Sequence, residues 1–237
     1  MSYLSTGVDP ECDQPTGVFG GDDINEADLK KVSGLLIGKG TVGLSQVAGS
    51  KQIKYLATTE WSPEIAELVQ TLPALKHLHL SRFRGALADA GKLPNLKILT
   101  IFACSGLESI KPFANCTGIE SLWISGCVRL KTLDGLNRYK KLSEFEIQGA
   151  MTKTGTLESL SPISTCTLLK YVVLATRLAE KDLSPLQNLK QLQHLWLQNR
   201  FKSDQYDSVL AACAKLKKIE LHNGSYDRVN GFQEDED

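Results

Sequence analysis

The four histidines offer the widest chemistry in this chain, and they stand at positions 77, 79, 194 and 222. A neutral imidazole ligates metals and exchanges protons near neutral pH. His77 and His79 are two residues apart, so on an extended strand both project from one face. Two imidazoles are too few for a zinc site, and no third ligand of clear type lies near them in the sequence. Glu144 and Glu146 repeat that spacing with carboxyls. Paired acids can divide acid and base roles, but on a strand they serve equally well as a binding patch. The sequence contains neither H-E-x-x-H nor G-x-S-x-G. Gly38-Lys39-Gly40-Thr41 comes nearest to a phosphate loop and fails twice. Ser33 stands where the motif's first glycine belongs, and Gly40 stands where Ser or Thr must hold the metal. The expectation is a protein without catalytic residues, cofactor or metal.

The elements that position these residues follow from a repeating frame. In Leu192-Gln193-His194-Leu195-Trp196-Leu197, apolar residues occupy the first, fourth and sixth positions. The closing step of two suits a strand and not a helix. The frame starts at Val32, Ile53, Leu75, Leu96, Ile119, Leu142, Leu169, Leu192 and Leu216. Its fourth position holds Leu35, Leu56, Leu78, Leu99, Leu122, Phe145, Val172, Leu195 and Ile219. Steps of 21, 22, 21, 23, 23, 27, 23 and 24 residues mark a repeat protein. Thr58 interrupts the sixth position of the second frame, and the first frame could be a cap helix running into a strand.

The frame resembles the leucine-rich repeat family. Leu183-Ser184-Pro185-Leu186-Gln187-Asn188-Leu189 is similar to the short-repeat class of internalins and the protein phosphatase-1 regulatory subunit, and Ile110-Lys111-Pro112-Phe113 and Leu160-Ser161-Pro162-Ile163 repeat its turn. The resemblance covers about residues 53 to 224. It implies an α/β solenoid with a concave parallel β-sheet and a convex side of short helices, 3₁₀ turns and loops. The family's inward Asn or Cys at the ninth position is matched by Cys104 and Cys127, with Ala150 and Gly224 as small stand-ins. Trp61, Phe83, Arg177 and Arg200 depart from it. Irregular turns are expected there, with both arginines turned to water.

The expected organisation is an acidic segment over 1–28, a solenoid of about eight or nine repeats over 29–224, and an acidic tail over 225–237. Residues 1–28 hold seven acidic residues and no Lys or Arg, and the last four residues are all acidic. The stretch between holds all 27 Lys and Arg against 16 acids, an excess of eleven positive charges on a chain of net charge zero. These ends are solvated tails, or shields for a basic body until a partner arrives. Helices are expected from Asn25 as cap, from Ser62-Pro63-Glu64 with Ile65, Leu68, Val69 and Leu72 inward, and over Asp207 to Leu216 with Val209, Leu210 and Cys213 inward. Short 3₁₀ turns are expected between 105 and 190, and a loop around Met151 to Gly155. No run of about 18 apolar residues suggests a membrane span, and Met1 to Gly21 has no signal-peptide pattern.

Strand alternation turns positions three, five and seven of each frame away from the core. Position three gathers Tyr55, His77, Ile98, Ser121, Glu144, Tyr171, His194 and Lys218. Position five gathers Ala57, His79, Thr100, Trp123, Glu146, Val173, Trp196 and Glu220. Position seven includes Phe102, Gln148 and His222. All four histidines fall in these columns, yet His77 and His194 lie five frames apart, about 24 Å at ~4.8 Å per strand, too far for one metal site. Exposed aromatics on a sheet commonly anchor a protein interface. The expected partner surface comprises His77, His79, Phe102, Trp123, Glu144, Glu146, Tyr171, His194, Trp196 and His222. Arg82, Arg84, Arg129, Arg177 and Arg200, with Lys131 and Lys202, follow their strands and should crowd one rim. The expected function is a non-enzymatic, monomeric, cytoplasmic adaptor or inhibitor that binds another protein; a bacterial toxin-neutralising, immunity-type role fits this format. The alternative is nucleic-acid binding through the basic rim, which the concave carboxylates oppose.

Cys116, Cys166 and Cys213 each precede a frame start by three residues, and Cys104 and Cys127 fill the ninth position, so five of six cysteines are repeat residues. This usage, without a C-x-x-C pair, suits a reducing compartment. The native chain should react with a thiol reagent at Cys12 alone, and at all six thiols after unfolding. Several fast-reacting native thiols would contradict the frame.

Overall fold

The computed structural model describes residues 18–19, 23–24, 26–150 and 155–233. Every frame forms a strand. In chain order the strands are β1 (Val18–Phe19), β2 (Gly34–Ile37), β3 (Tyr55–Thr58), β4 (His77–Ser81), β5 (Ile98–Phe102), β6 (Ser121–Ser125) and β7 (Glu144–Gln148). They continue with β8 (Thr156–Leu157), β9 (Tyr171–Ala175), β10 (Arg177–Leu178), β11 (His194–Leu197), β12 (Ile219–Leu221), β13 (Gly224–Asp227) and β14 (Gly231–Gln233). Twelve of them make one sheet in the order β1-β2-β3-β4-β5-β6-β7-β9-β11-β12-β13-β14, while β8 and β10 pair separately. All pairs from β1 to β12 are parallel, and β13 and β14 are antiparallel.

Burial alternates as the frame requires in β4, β5, β7 and β11, while the small or branched outward residues Ala57, Ser121 and Val173 are buried among their neighbours. In β4 the even steps, Leu78 and Leu80, are fully buried while His77, His79 and Ser81 are half-exposed. The first, fourth and sixth positions build one continuous core from Ile24 to Tyr226. Thr58 keeps its place in that core because its Oγ1 donates to Glu60 O at 2.7 Å and accepts from Glu60 N at 3.0 Å. A buried hydroxyl satisfied in this way avoids most of the desolvation cost.

The convex side varies with the sequence. Helix α1 (Glu26–Leu29) leads into β2, and the expected cap Asn25 lies outside the described residues. In α2 (Pro63–Gln70), Ser62 Oγ accepts from Ile65 N at 3.2 Å and Pro63 opens the first turn, as its missing N–H allows. Between residues 105 and 190 the connections are 3₁₀ turns: Lys111–Phe113, Leu136–Arg138, Ser161–Thr165 and Ser184–Asn188. Helix α3 (Ser203–Ala212) begins four residues before the expected Asp207, because Tyr206 packs inward beside Val209 and Leu210. Of the loop expected around Met151 to Gly155, residues 151 to 154 lie outside the described residues.

At four frames the residue three before the frame start ties the repeats together with a hydrogen bond. Tyr139 Oη donates to Phe113 O at 2.9 Å. The thiols of Cys166 and Cys213 reach Leu136 O and Leu186 O, both at 3.4 Å, and that of Cys116 reaches Gly91 O at 3.7 Å. Each donor serves a carbonyl of the preceding repeat. Burial pushes the Cys116 thiol up to about 12 and Cys166 up to about 11, so these groups stay protonated donors.

Two boundaries differ from expectation. Residues 225–233, assigned from sequence to the acidic tail, form the antiparallel β13 and β14 that close the sheet. Tyr226 is buried there, with Tyr206 and Phe232 rings around it at 4.9 Å each. At the other end, Val18–Phe19, within the expected acidic segment, pairs with β2. Among the described residues no helix is long and apolar enough to cross a membrane.

Leu195→Ala empties a fully buried site and should cost about 2–5 kcal/mol in urea unfolding. Trp196→Ala next to it should cost far less, and Tyr139→Phe, which removes one buried hydrogen bond while Phe113 O keeps that from Cys116 N, about 0.5–1.5 kcal/mol. Equal losses at 195 and 196 would mean that the faces are reversed.

Candidate functional site

The strand register brings the expected columns together. Tyr55, His77, Ile98, Ser121, Glu144, Tyr171 and His194 are successive partners across the sheet. So are Ala57, His79, Thr100, Trp123, Glu146, Val173, Trp196 and Glu220. Phe102 sits in the third column at 42% exposure, between Ser81 and Ser125, with Gln148 one strand further on. Leu36 extends the second column toward β2 and is equally exposed.

Side chains on this face form local contacts along each column. Toward the N-terminal end, His77 meets the Tyr55 ring edge-on at 4.9 Å, and its Nε2 lies 3.0 Å from Thr100 Oγ1. Burial, with His79 alongside, lowers the His77 pKa to about 4, and burial lowers His79 too. Both imidazoles are therefore neutral at pH 7. In the middle, Ser121 Oγ donates to Glu144 at 3.0 Å, and Gln148 Nε2 donates to Glu146. Burial raises both carboxyls above the ordinary glutamate range. Toward the C-terminal end, His194 stacks on Tyr171 with centroids 4.3 Å apart and planes 6° from parallel. Its Nε2 is 3.8 Å from Glu220, which Lys218 also approaches at 3.7 Å. Burial still outweighs the Glu220 charge and keeps the His194 pKa below 6.5. Trp196 meets His222 edge-on at 6.4 Å.

Of the basic residues expected on one rim, Arg82, Arg84, Arg129, Arg177 and Arg200 are all exposed. Arg84 and Arg129 line one cleft of about 310 Å³, where Arg129 pairs with Glu108 at 2.9 Å. Arg177 lies in β10, in the separate two-stranded sheet, and Arg200 reaches the Phe232 ring of the terminal cap at 6.0 Å. Their turns keep internal polar partners one residue early: Thr176 Oγ1 donates to Gly155 O at 3.1 Å, and Asn199 Nδ2 to Thr176 O at 2.5 Å. At the other departures, Trp61 fills its slot, buried, with Nε1 donating to Ala88 O at 2.8 Å, and Phe83 packs against the core.

The sequence reading missed a second basic column. Lys54, Lys76 and Lys97 occupy position two, where Lys76 N donates to Lys54 O and Lys97 N to Lys76 O, both at 2.8 Å. Glu120 ends this run and pairs with Lys97. Counting position two alongside three, five and seven would have found it. Among the described residues no group of three or more His, Cys, Asp or Glu could hold a metal ion.

The chain matches no protein-family model and no curated protein sequence. Its fold is that of solved leucine-rich-repeat structures. Internalin InlP of Listeria monocytogenes is 20% identical with a TM-score of 0.51, over 73% of this chain and 51% of that one. Internalin C2 of the same organism is 19% identical with a TM-score of 0.43, over 84% of both chains. The ectodomain of the Arabidopsis thaliana receptor kinase GASSHO1/SCHENGEN3, solved in complex with Casparian strip integrity factor 2, is 18% identical with a TM-score of 0.44. That match covers 84% of this chain and 29% of the ectodomain. The chain spans about half the length of InlP and of internalin InlF, with 51% and 54% of those chains covered.

The imidazole shifts set a pH dependence. Between pH 6.5 and about 4 the unfolded chain binds protons at His77 that the folded chain refuses, so this residue removes stability as pH falls through that window. Glu144 and Glu146 act oppositely above their ordinary range, where the folded chain binds the extra protons. Titration by NMR should place the His77 midpoint near 4, and a midpoint near 6.5 would contradict the buried placement.

Proposed function

Taking the leucine-rich-repeat fold as premise, we propose that this protein is a non-enzymatic module that holds a partner protein on its concave face, as an adaptor or inhibitor. The observation that carries this is the concentration of aromatic and imidazole rings on one sheet face. Trp123, Tyr171, His194 and Trp196 are half-exposed there although nothing in the strand pattern requires rings at those positions. Rings of this kind, with two rotatable bonds and a large contact area, are typical interface anchors. A toxin-neutralising, immunity-type protein is one inhibitor that such a face would serve. Buried free thiols support a reducing, cytoplasmic setting for a monomer. The binding unit in this reading is the solenoid over 29–224 with its β13–β14 cap, flanked by acidic ends that screen its basic body. The rival nucleic-acid reading has less support, since Arg129 is paired with Glu108 and Glu144, Glu146 and Glu220 repel phosphates from the face.

The test starts with affinity capture from the native lysate and identification of the retained protein by mass spectrometry. Trp123→Ala or Trp196→Ala should then weaken binding of that partner at least about tenfold with the fold intact. Charge reversal at Arg177 or Arg200 should slow association and alter its salt dependence. Parental affinity in both tryptophan variants, with binding abolished in the rim variants, would move the site to the basic rim.

A further inference from the structure

The concave face has an electrostatic character opposite to that of the solenoid. The body carries an excess of eleven positive charges, yet positions three, five and seven from frame 53 onward hold three carboxylates and one lysine. Glu220 is matched locally by Lys218 at 3.7 Å. Glu144 and Glu146 are not: among the described residues neither forms an ion pair, and Lys170 acts on Glu144 only through its field. Each carboxylate accepts one neutral hydrogen bond, from Ser121 or Gln148, and retains further acceptor capacity toward the open side. Their register neighbours are aromatic, with Trp123 beside Glu146 and Tyr171 beside Glu144.

From this charge complementarity we infer that the concave face docks an extended segment of a partner protein by an arginine side chain, held between Glu144 and Glu146 and against the Trp123 indole. The inference rests on the concave-docking reading above. The two glutamates are two residues apart on β7, about 7 Å at strand spacing, so one guanidinium placed between them can donate to both. Arginine fits better than lysine because its planar, delocalised cation presents donors in a fork and stacks on an aromatic ring. Partly desolvated carboxylates strengthen such charge-assisted bonds, since the surrounding medium screens them less than water does. The lysine column at position two, on the edge where strands enter the face, keeps a uniformly basic segment from lying across it and favours a partner in which the arginine is a single projecting residue.

The probe is a phage-displayed library of random dodecapeptides selected against the full chain at low salt. Enriched peptides should share an arginine, and replacing it by lysine or citrulline should weaken binding at least about tenfold. Glu144→Gln and Glu146→Gln, which keep side-chain shape and leave the thermal unfolding midpoint at or above the parent's, should weaken the same peptides by a similar factor. Enriched peptides without arginine, or arginine peptides that bind the double glutamine variant as tightly as the parent, would overturn the assignment. The protein captured from lysate separates this from the wider reading. Loss of that partner in Trp196→Ala with full affinity in both glutamine variants leaves concave docking standing and removes the arginine assignment. Full affinity in the tryptophan and glutamine variants alike removes both.

Discussion

Register between parallel strands is the constraint on which this molecule depends. Each frame strand of the main sheet from β2 to β12 pairs residue for residue with that of the next repeat, so equivalent frame positions become spatial neighbours over the whole array. A slip of one residue in any pair would send Leu and Ile to water and the histidines and glutamates into the core. The burial of positions one, four and six sets that register at every step, and the exposed columns are its by-product. Exposed side chains at positions three, five and seven can therefore vary with little effect on the core.

The second level of organisation is polar and lies on the opposite side. Apolar stacking alone is tolerant of small rotations between repeats. Tyr139, Cys116, Cys166 and Cys213 add directional bonds, each reaching a carbonyl of the repeat before it. Three of these carbonyls, those of Phe113, Leu136 and Leu186, already accept a backbone N–H of the 3₁₀ turn, so the side-chain donor fills the second acceptor site of each. Cysteine suits the tighter positions because it is small, largely apolar and still a donor.

How much of this is visible in the sequence depends on periodicity. Strand alternation over nine frames is strong, so the sheet, its register and the membership of the columns follow directly. The weak points are places where the period fails or the composition misleads. Helix α3 starts early because Tyr206 alone supplies its inward contact in that turn. The β13–β14 cap lies in a polar stretch, just before the acidic last four residues, in which only Tyr226, Val229 and Phe232 are large and apolar, too few to reveal a strand pair. Thr58 breaks the apolar rule because a hydroxyl can satisfy itself on a local carbonyl. Side-chain pairings such as Tyr171 on His194 depend on rotamers, which no repeat frame encodes.

The concave columns also amount to a ruler whose divisions differ from those of anything laid along them. Columns advance about 4.8 Å per strand, whereas the side chains on one edge of an extended polypeptide advance about 6.7 Å. The two scales coincide only near every third strand, close to 14 Å. Trp123 on β6 and Trp196 on β11 are separated by that interval, with β7 and β9 between them. A segment running across the sheet thus meets the two indoles in phase with residues four apart, while its intervening side chains fall between columns. The strand spacing of the solenoid therefore sets a vernier against any extended chain, in which the distance between side chains counts before the chemistry of any one column.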